Sequence, residues 1–521
     1  MDSPQMNSQE YVQACIARGI LPSVDTVRSP VDLTQATFPD TAVVLSRDAF
    51  SLVQSGHTVD WLQLDRLRVH YERGKTSGYE QYLQCFAHGP HTETAADDPV
   101  PEQKAITIVS SYEGGSAKHT VSDFAQHFTQ RYTLLERMLR VRPELQNSIS
   151  ISRALVKQAR EQVALIGMVV EKSESKNGNL MLTVEDRTGY IKVLVSKSKP
   201  ELFEEARDIV TDEVIGIEGV CGNRIVFANS LFWPDVPYNR DLKKVADDVY
   251  AVFLSDVHVG SSYFLHEEFE RFLKWISGAS GTEAQREIAQ KVKYIIIAGD
   301  VVDGVGIYPD QDKELAITDI YQQYDEFARL IKRIPAHLPI IICAGNHDAL
   351  RLSEPQPPLD RDFARSLYAL PNVTIVSNPS FITLHANDPS GGIDVLIYHG
   401  YSFDYYVAHV DSIRNRGGYQ RADLIMKYLL KRRHLSPAQA STLRIPDAQK
   451  DPLVITRVPD IFITGHIHYS IVANYRNVTM ISGSCWQDTT DFQRKMGHKP
   501  EPARAPVVNL RTREVKILKF A

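Results

Sequence analysis

Five short apolar runs in the C-terminal half of this 521-residue chain each end on a side chain able to hold a metal ion. Ala251 to Ser255 leads into Asp256-Val257-His258, and Tyr294 to Ala298 into Gly299-Asp300. Pro339 to Ala344 leads into Gly345-Asn346-His347-Asp348, Val395 to Tyr398 into His399-Gly400, and Ile461 to Thr464 into Gly465-His466-Ile467-His468. Runs of this length, rich in β-branched residues and closed by glycine, read as strands buried on both faces. Ligands of open α/β sheets sit beyond the strand C-termini. The expectation is therefore that all five endings lie on one edge of one sheet. Glycines at 299, 345, 400 and 465 would let the chain turn sharply there.

The donors are imidazole nitrogens with carboxylate and amide oxygens, and no cysteine. That mix suits manganese, iron or zinc and is a poor match for an all-oxygen calcium cage. A carboxylate such as Asp300 can bridge two cations about 3.5–4 Å apart, and such a pair is suited to in-line phosphoryl displacement. A lone histidine past a strand is usually a satisfied structural residue. Eight such positions in order are not explained that way.

The succession Asp-x-His, Gly-Asp, Gly-Asn-His-Asp, His-Gly, Gly-His-x-His resembles the calcineurin-like metallophosphoesterase superfamily. The resemblance implies an α/β domain, a β-sandwich flanked by helices, holding two divalent cations: manganese first, with iron, zinc or magnesium as the alternatives. It implies that Asp256, His258, Asp300 and His468 hold one cation. Bridging Asp300 with Asn346, His399 and His466 would hold the other. His347 would serve the scissile phosphate and the leaving oxygen rather than a metal, with Asp348 orienting its ring.

A net charge of −6 and a pI near 6.3 exclude a broadly basic nucleic-acid coat, so any DNA contact must be local. The five cysteines (Cys15, Cys85, Cys221, Cys343, Cys485) are scattered without a Cys-x-x-Cys pair. That fits a reducing cytoplasm and excludes a disulfide framework or a cysteine zinc site. No stretch approaches the roughly 18 apolar residues of a membrane helix, and the N-terminus has no signal-peptide pattern. The reading is a soluble cytoplasmic protein.

The length suits about three domains. Residues 1–85 read as a small, mostly helical partner-binding module, with Tyr11, Val12, Cys15 and Ile16 at helical spacing and a second helix over 62–71. Residues 86–104 are polar and proline-punctuated and read as a flexible linker. Residues 105–159 read as a helical connector, its main helix capped by Ser122-Asp123. Arg131, Arg137, Arg140 and Arg142 would be that helix's solvated face rather than a DNA contact.

Residues 160–240 hold five strand candidates: 163–171, 180–185, 190–195, 213–220 and 224–233. Asn177-Gly178 and Thr188-Gly189 supply turns, and a short helix spans 200–207. That pattern predicts an OB-fold barrel, with Tyr190, Phe227 and Phe232 able either to stack bases or to fill a core.

Residues 248–521 form the phosphoesterase domain. Between His399 and Asp460 lie Arg414, Arg416, Arg421, Lys431, Arg432 and Arg433, which predict a track for a DNA backbone, the alternative being an exposed amphipathic helix. His266, His385, His409 and His498 lack motif context and read as structural.

An OB fold directly ahead of this domain resembles the small subunits of replicative DNA polymerases. Lys431 to Pro437, Val458 to Ile461 and Ser484 to Gln493 are similar to the archaeal D-family members, over roughly residues 120–521. This resemblance implies a 3′-to-5′ proofreading exonuclease acting on single-stranded or frayed 3′ ends. It also implies a heterodimer with a large catalytic polymerase subunit, with a sliding clamp or primase as further partners. A free-standing break-repair-type metallonuclease and a non-catalytic polymerase scaffold remain the alternatives.

Overall fold

The structure, a computed structural model, describes residues 105–115 and 118–521, with 8–17, 21–22, 27 and 44–45 nearer the N-terminus. The chain divides into two units, residues 1–100 and 101–521. In the first, the expected helix is present as Ser8–Ala17, and Leu21–Pro22 pairs in parallel with Val44–Leu45. The helix expected over 62–71 and the linker over 86–104 lie outside the described residues.

The second unit is built on two six-stranded sheets. From edge to edge, one runs Val373–Ile375, Ile340–Cys343, Val292–Ala298, Tyr250–Leu254, Arg504–Asn509, Val515–Lys519. Its first four strands are parallel. The other runs Ile471–Tyr475, Val478–Ser482, Ile461–Thr464, Ile393–Ile397, Ser380–Leu384, Ile106–Ser111.

The five runs that end on candidate ligands are therefore divided between two sheets, three in the first and two in the second, and not set on one sheet as expected. Double-sided burial has a different cause here. Phe253, Ile296 and Ile341 face inward against Val395, Ile397 and Ile463 of the opposing sheet. Their neighbours Leu254, Ile295 and Ile297 face outward under Phe272 and Phe327 of the helices His266–Ile276 and Ile320–Ile331. On the other side Leu396 and Phe462 lie under Ile425 and Leu429 of Ala422–Arg432. A strand between a sheet and a helix layer carries no in/out alternation, just as one between two helix layers does not.

Residues 106–111 were expected within a helical connector. They form instead the edge strand of the second sheet, paired antiparallel with Ser380–Leu384. The helix that follows spans Val121–Arg140 and is capped by Thr120, whose backbone N–H donates to Asp123 at 2.7 Å, so its cap lies two residues before the expected Ser122. Its arginines are not uniformly solvated: Arg131 is fully buried, with Nε donating to Asp451 at 2.7 Å and Nη1 to the carbonyl of Pro437 at 2.9 Å.

Gln162–Glu174, Leu180–Asp186, Gly189–Val195, Val214–Cys221 and Ile225–Phe232 close the predicted five-stranded barrel, with the helix Pro200–Arg207 after the third strand. Its interior is Leu165, Val169, Leu182, Val184, Val193, Ile217 and Val226. Tyr190 and Phe227 are exposed on the outside, whereas Phe232 packs beneath the Val121–Arg140 helix. No helix among the described residues is long and apolar enough to cross a membrane.

Candidate metal centre

At the rim where the strands carrying the candidate ligands end, the chain reverses through unusual backbone. Asp256, His258, Asp300, His466 and His468 take φ of 50°, 53°, 50°, 70° and 57°. Side-chain-bearing residues rarely adopt this left-handed region, and each instance costs roughly 1–3 kcal/mol. Five such residues at one rim mark a place where geometry is maintained against local preference. Two glycines make the approach possible. Gly299 has φ of +84°, and a Cβ on Gly345 would lie 2.1 Å from Asp300 Oδ1.

Side chains from both sheets converge there. Asp256, His258 and His468 offer ligand atoms within 4.8 Å of one another, as do Asp256, Asp300 and His399, all buried. His258 Nε2 stands 3.0 Å from His468 Nε2, and His399 Nε2 3.1 Å from Asp300 Oδ2. Asn346 Oδ1 is 3.0 Å from His399 Nε2 and 2.9 Å from His466 Nδ1. His466 faces the same cleft but stands outside those three-residue clusters, with its Nε2 3.1 Å from Asp404.

Ring orientations are set from behind. His399 Nδ1 donates to the carbonyl of Ala298 at 2.8 Å, leaving the Nε2 lone pair for the centre. His258 is held in the same manner by Asp303, 3.0 Å from its Nδ1. Asp303 is a residue the sequence reading missed. It lies three positions past Asp300, beyond the same strand, and also groups with His258 and His347 as a further set of potential ligands.

The electrostatics suit cations. Burial works to raise Asp256 and Asp300, but hydrogen bonds and charge from His468 and His399 outweigh it and hold both below the usual carboxylate range. Burial also disfavours a charged His399, yet Asp300 overrides it and lifts the imidazole to about 10. Carboxylates that draw protons onto buried imidazoles draw divalent cations to the same place. The donor set of His, Asp and Asn thus fits a metal pair.

His347 stands beside this centre, half-buried, its Nδ1 donating to the carbonyl of Asp303 at 2.7 Å. The expected orienting contact from Asp348 is not made. Asp348 accepts from the Gly345 N–H at 2.8 Å and from Tyr324 Oη at 3.2 Å, so it braces the Gly345-Asn346 turn instead. Burial raises its carboxyl to about 7. The cleft over the centre, about 260 Å³, is walled by Tyr308, Tyr401, Tyr419, Phe492 and His498. His498, expected to be structural, packs on Tyr419 at 4.6 Å between ring centroids. The other histidines without motif context lie elsewhere, His385 bonded to Tyr294 and Asp247.

The expected DNA track is largely something else. Arg432 is buried, its Nε donating to Glu213 of the barrel at 2.6 Å, and Arg433 is buried among the carbonyls of Ile455, Thr456 and Asp235. Lys431 pairs with Glu205 and lies 3.9 Å over the ring of Trp233. These three join the barrel to the phosphoesterase-like domain, because a buried Glu213 needs a matched cation and the helix Ala422–Arg432 supplies it. Arg414 pairs with Asp411 and Arg421 with Asp423, and Arg416 is exposed.

Fold and site together define a phosphoesterase-like α/β protein with an OB-fold barrel ahead of the domain that carries the His/Asp centre. Residues 163–230 match the family of OB-fold nucleic acid binding domains, and residues 251–472 match the B-subunit family of DNA polymerases alpha and epsilon. The DNA polymerase II small subunit of Methanothermobacter thermautotrophicus is 38% identical over 435 residues, covering 84% of this chain and 86% of that protein. The counterpart in Archaeoglobus fulgidus is 39% identical, covering 77% and 78%, and that in Pyrococcus furiosus 38% identical, covering 79% of this chain and 66% of the longer relative. The chain belongs to the family of archaeal D-family DNA polymerase II small subunits.

Proposed function

We propose that this chain is the 3′-to-5′ proofreading exonuclease subunit of a replicative DNA polymerase. It hydrolyses DNA phosphodiesters at single-stranded or frayed 3′ ends and scaffolds a large polymerase subunit in the cytoplasm. The observation that carries this reading is the convergence of Asp256, His258, Asp300, His399 and His468 on one rim, with Asn346 and His466 alongside and His347 adjacent. Asp256, His258, Asp300 and His468 would hold one cation and Asp300, Asn346, His399 and His466 the other, manganese suiting the mixed donors. Such a pair supplies Lewis acidity toward a phosphodiester. A fully intact donor set favours an active site over a scaffold relic, and relatives named as small subunits favour a heterodimer over a free-standing nuclease.

The chain's own residues do the rest. His347 is fixed by its Nδ1–H bond to Asp303, so Nε2 is the atom left to meet the substrate. Burial lowers the imidazole, while an arriving anionic diester favours the protonated ring, which can then donate from Nε2 to the departing 3′-oxygen. Mismatched ends unpair at lower cost, which gives selectivity without any contact to the mismatch.

The test is degradation of 3′-labelled and 5′-labelled single strands in manganese, by wild type and His347→Ala, alone and with a large polymerase subunit. Stepwise shortening from the 3′ end, lost in the variant, is the expected result. No cleavage by wild type in either assembly would leave only the scaffold.

A further inference from the structure

A second cleft, about 780 Å³, opens on the far side of His347. His347 and Ile307 line both it and the 260 Å³ cleft over the metal centre, so the two spaces meet at those side chains. The small space is near the lower end of the range for a single small ligand and has no room for a second nucleotide, whereas the second is three times larger.

We infer that this second cleft is the track for the nucleotides on the leaving-group side of the scissile bond in a DNA single strand, with Arg351 receiving a phosphate there. The assignment rests on the exonuclease reading above. In that reading His347 serves the departing 3′-oxygen, and that oxygen belongs to the body of the strand. The terminal nucleotide then occupies the small cleft, and the remainder of the strand passes His347 into the large one.

The wall chemistry fits an unpaired strand. Val305 and Ile307 are 49% and 38% exposed, an apolar surface that none of the described residues covers. Ile320, Leu350 and Phe363 continue that surface, and the Phe363 ring is itself stacked on Tyr321, 5.2 Å between centroids. Apolar and aromatic walls accept any base by its π-face.

Arg351 is the cation of the cleft. Its Nη2 donates to the carbonyl of Pro355 at 2.8 Å, and its guanidinium stands 5.5 Å over the ring of Tyr112. Among the described residues no carboxylate pairs with it, and its buried Nε has no partner. A guanidinium held by a carbonyl and over an aromatic ring, with no carboxylate against its charge, is suited to a phosphate. The carboxyls of Glu113, Asp348 and Asp360 also line the cleft, which disfavours phosphate elsewhere and restricts it to Arg351.

The experiment uses the full chain in EDTA and follows anisotropy of 5′-fluorescein oligothymidylates of increasing length. Affinity is expected to tighten about tenfold or more from two to four nucleotides as the second cleft fills. Arg351→Gln should remove most of that step. Val305 is exposed, so Val305→Glu and Val305→Lys test the same space with little risk to folding. The first should abolish the step and the second preserve or enlarge it, a reversal that a purely structural role would not produce. A step absent from wild type, or equal in all three variants, overturns the inference. Manganese is then restored. Binding with the length step but without hydrolysis sinks the nuclease reading and upholds the strand-binding cleft. Stepwise hydrolysis without a length step does the opposite.

Discussion

Replacing Arg432 with methionine would strand a carboxylate in the seam between barrel and phosphoesterase-like domain. Glu213 and Arg432 are 2% and 5% exposed. Glu213 accepts from Arg432 Nε at 2.6 Å, Tyr428 Oη at 2.8 Å, the Val210 N–H at 2.9 Å and Trp233 Nε1 at 2.9 Å. Removing one partner of a buried pair costs about 3–5 kcal/mol, chiefly because the other charge is left uncompensated. Three neutral donors persist around Glu213, which places the expected loss near the lower end, about 3 kcal/mol. Glu213→Gln combined with Arg432→Met should recover part of it, with a coupling energy of about 1–3 kcal/mol. The assay is urea denaturation followed by tryptophan fluorescence, since Trp233 lies in the seam. Strand affinity is measured on the same samples and should change little. If Arg432→Met weakens strand binding while leaving the denaturation midpoint in place, Arg432 belongs to a DNA track and the seam argument fails.

Asp300→Asn should reduce bound manganese to well under one equivalent by elemental analysis after dialysis, and an unchanged content would refute the bridging role. In Gly345→Ala the new methyl meets Asp300 Oδ1 at 2.1 Å, so the centre must shift. Phosphodiesterase activity should fall about 100-fold or more with the thermal midpoint only modestly lowered, because a displacement near 1 Å suffices for that loss. Buried Glu354, bonded to Tyr398 Oη at 3.0 Å, is raised by burial to about 7. The folded state therefore holds its proton more tightly than the unfolded chain. The stabilisation is complete below about pH 4.5 and is lost as pH rises through 7, a change of about 3 kcal/mol. Urea midpoints from pH 5 to 8 should decline more steeply in wild type than in Glu354→Gln, and equal slopes would show that Glu354 is not the titrating group.

The barrel was legible because its information is local. Leu180 to Val195 alternates in and out, and Gly178, with φ of +74°, marks the first hairpin turn. The motifs that carry the candidate ligands were legible as strand endings for the same reason, since each is a few residues at the end of one strand. Asp303 was not, because nothing local separates it from any carboxylate on a loop. Its place behind His258 depends on a contact across 45 positions. The basic insertion misled for a related reason: an arginine on a helix has the same local pattern whether it faces water or a buried glutamate.

The amino-acid sequence by itself determined the five barrel strands, the apolar runs beneath the site, and the identity and order of the motif-borne candidate ligands, since these follow from periodicity, turn chemistry and donor type. Tertiary structure alone decided that the strands ending on candidate ligands belong to two sheets, because a run buried on both faces looks the same under a helix or under another sheet. It also decided which charges are internal. Arg131 meets Asp451 across 320 positions and Arg432 meets Glu213 across 219. Such pairs exist only after packing has removed both partners from water, and no local pattern encodes that.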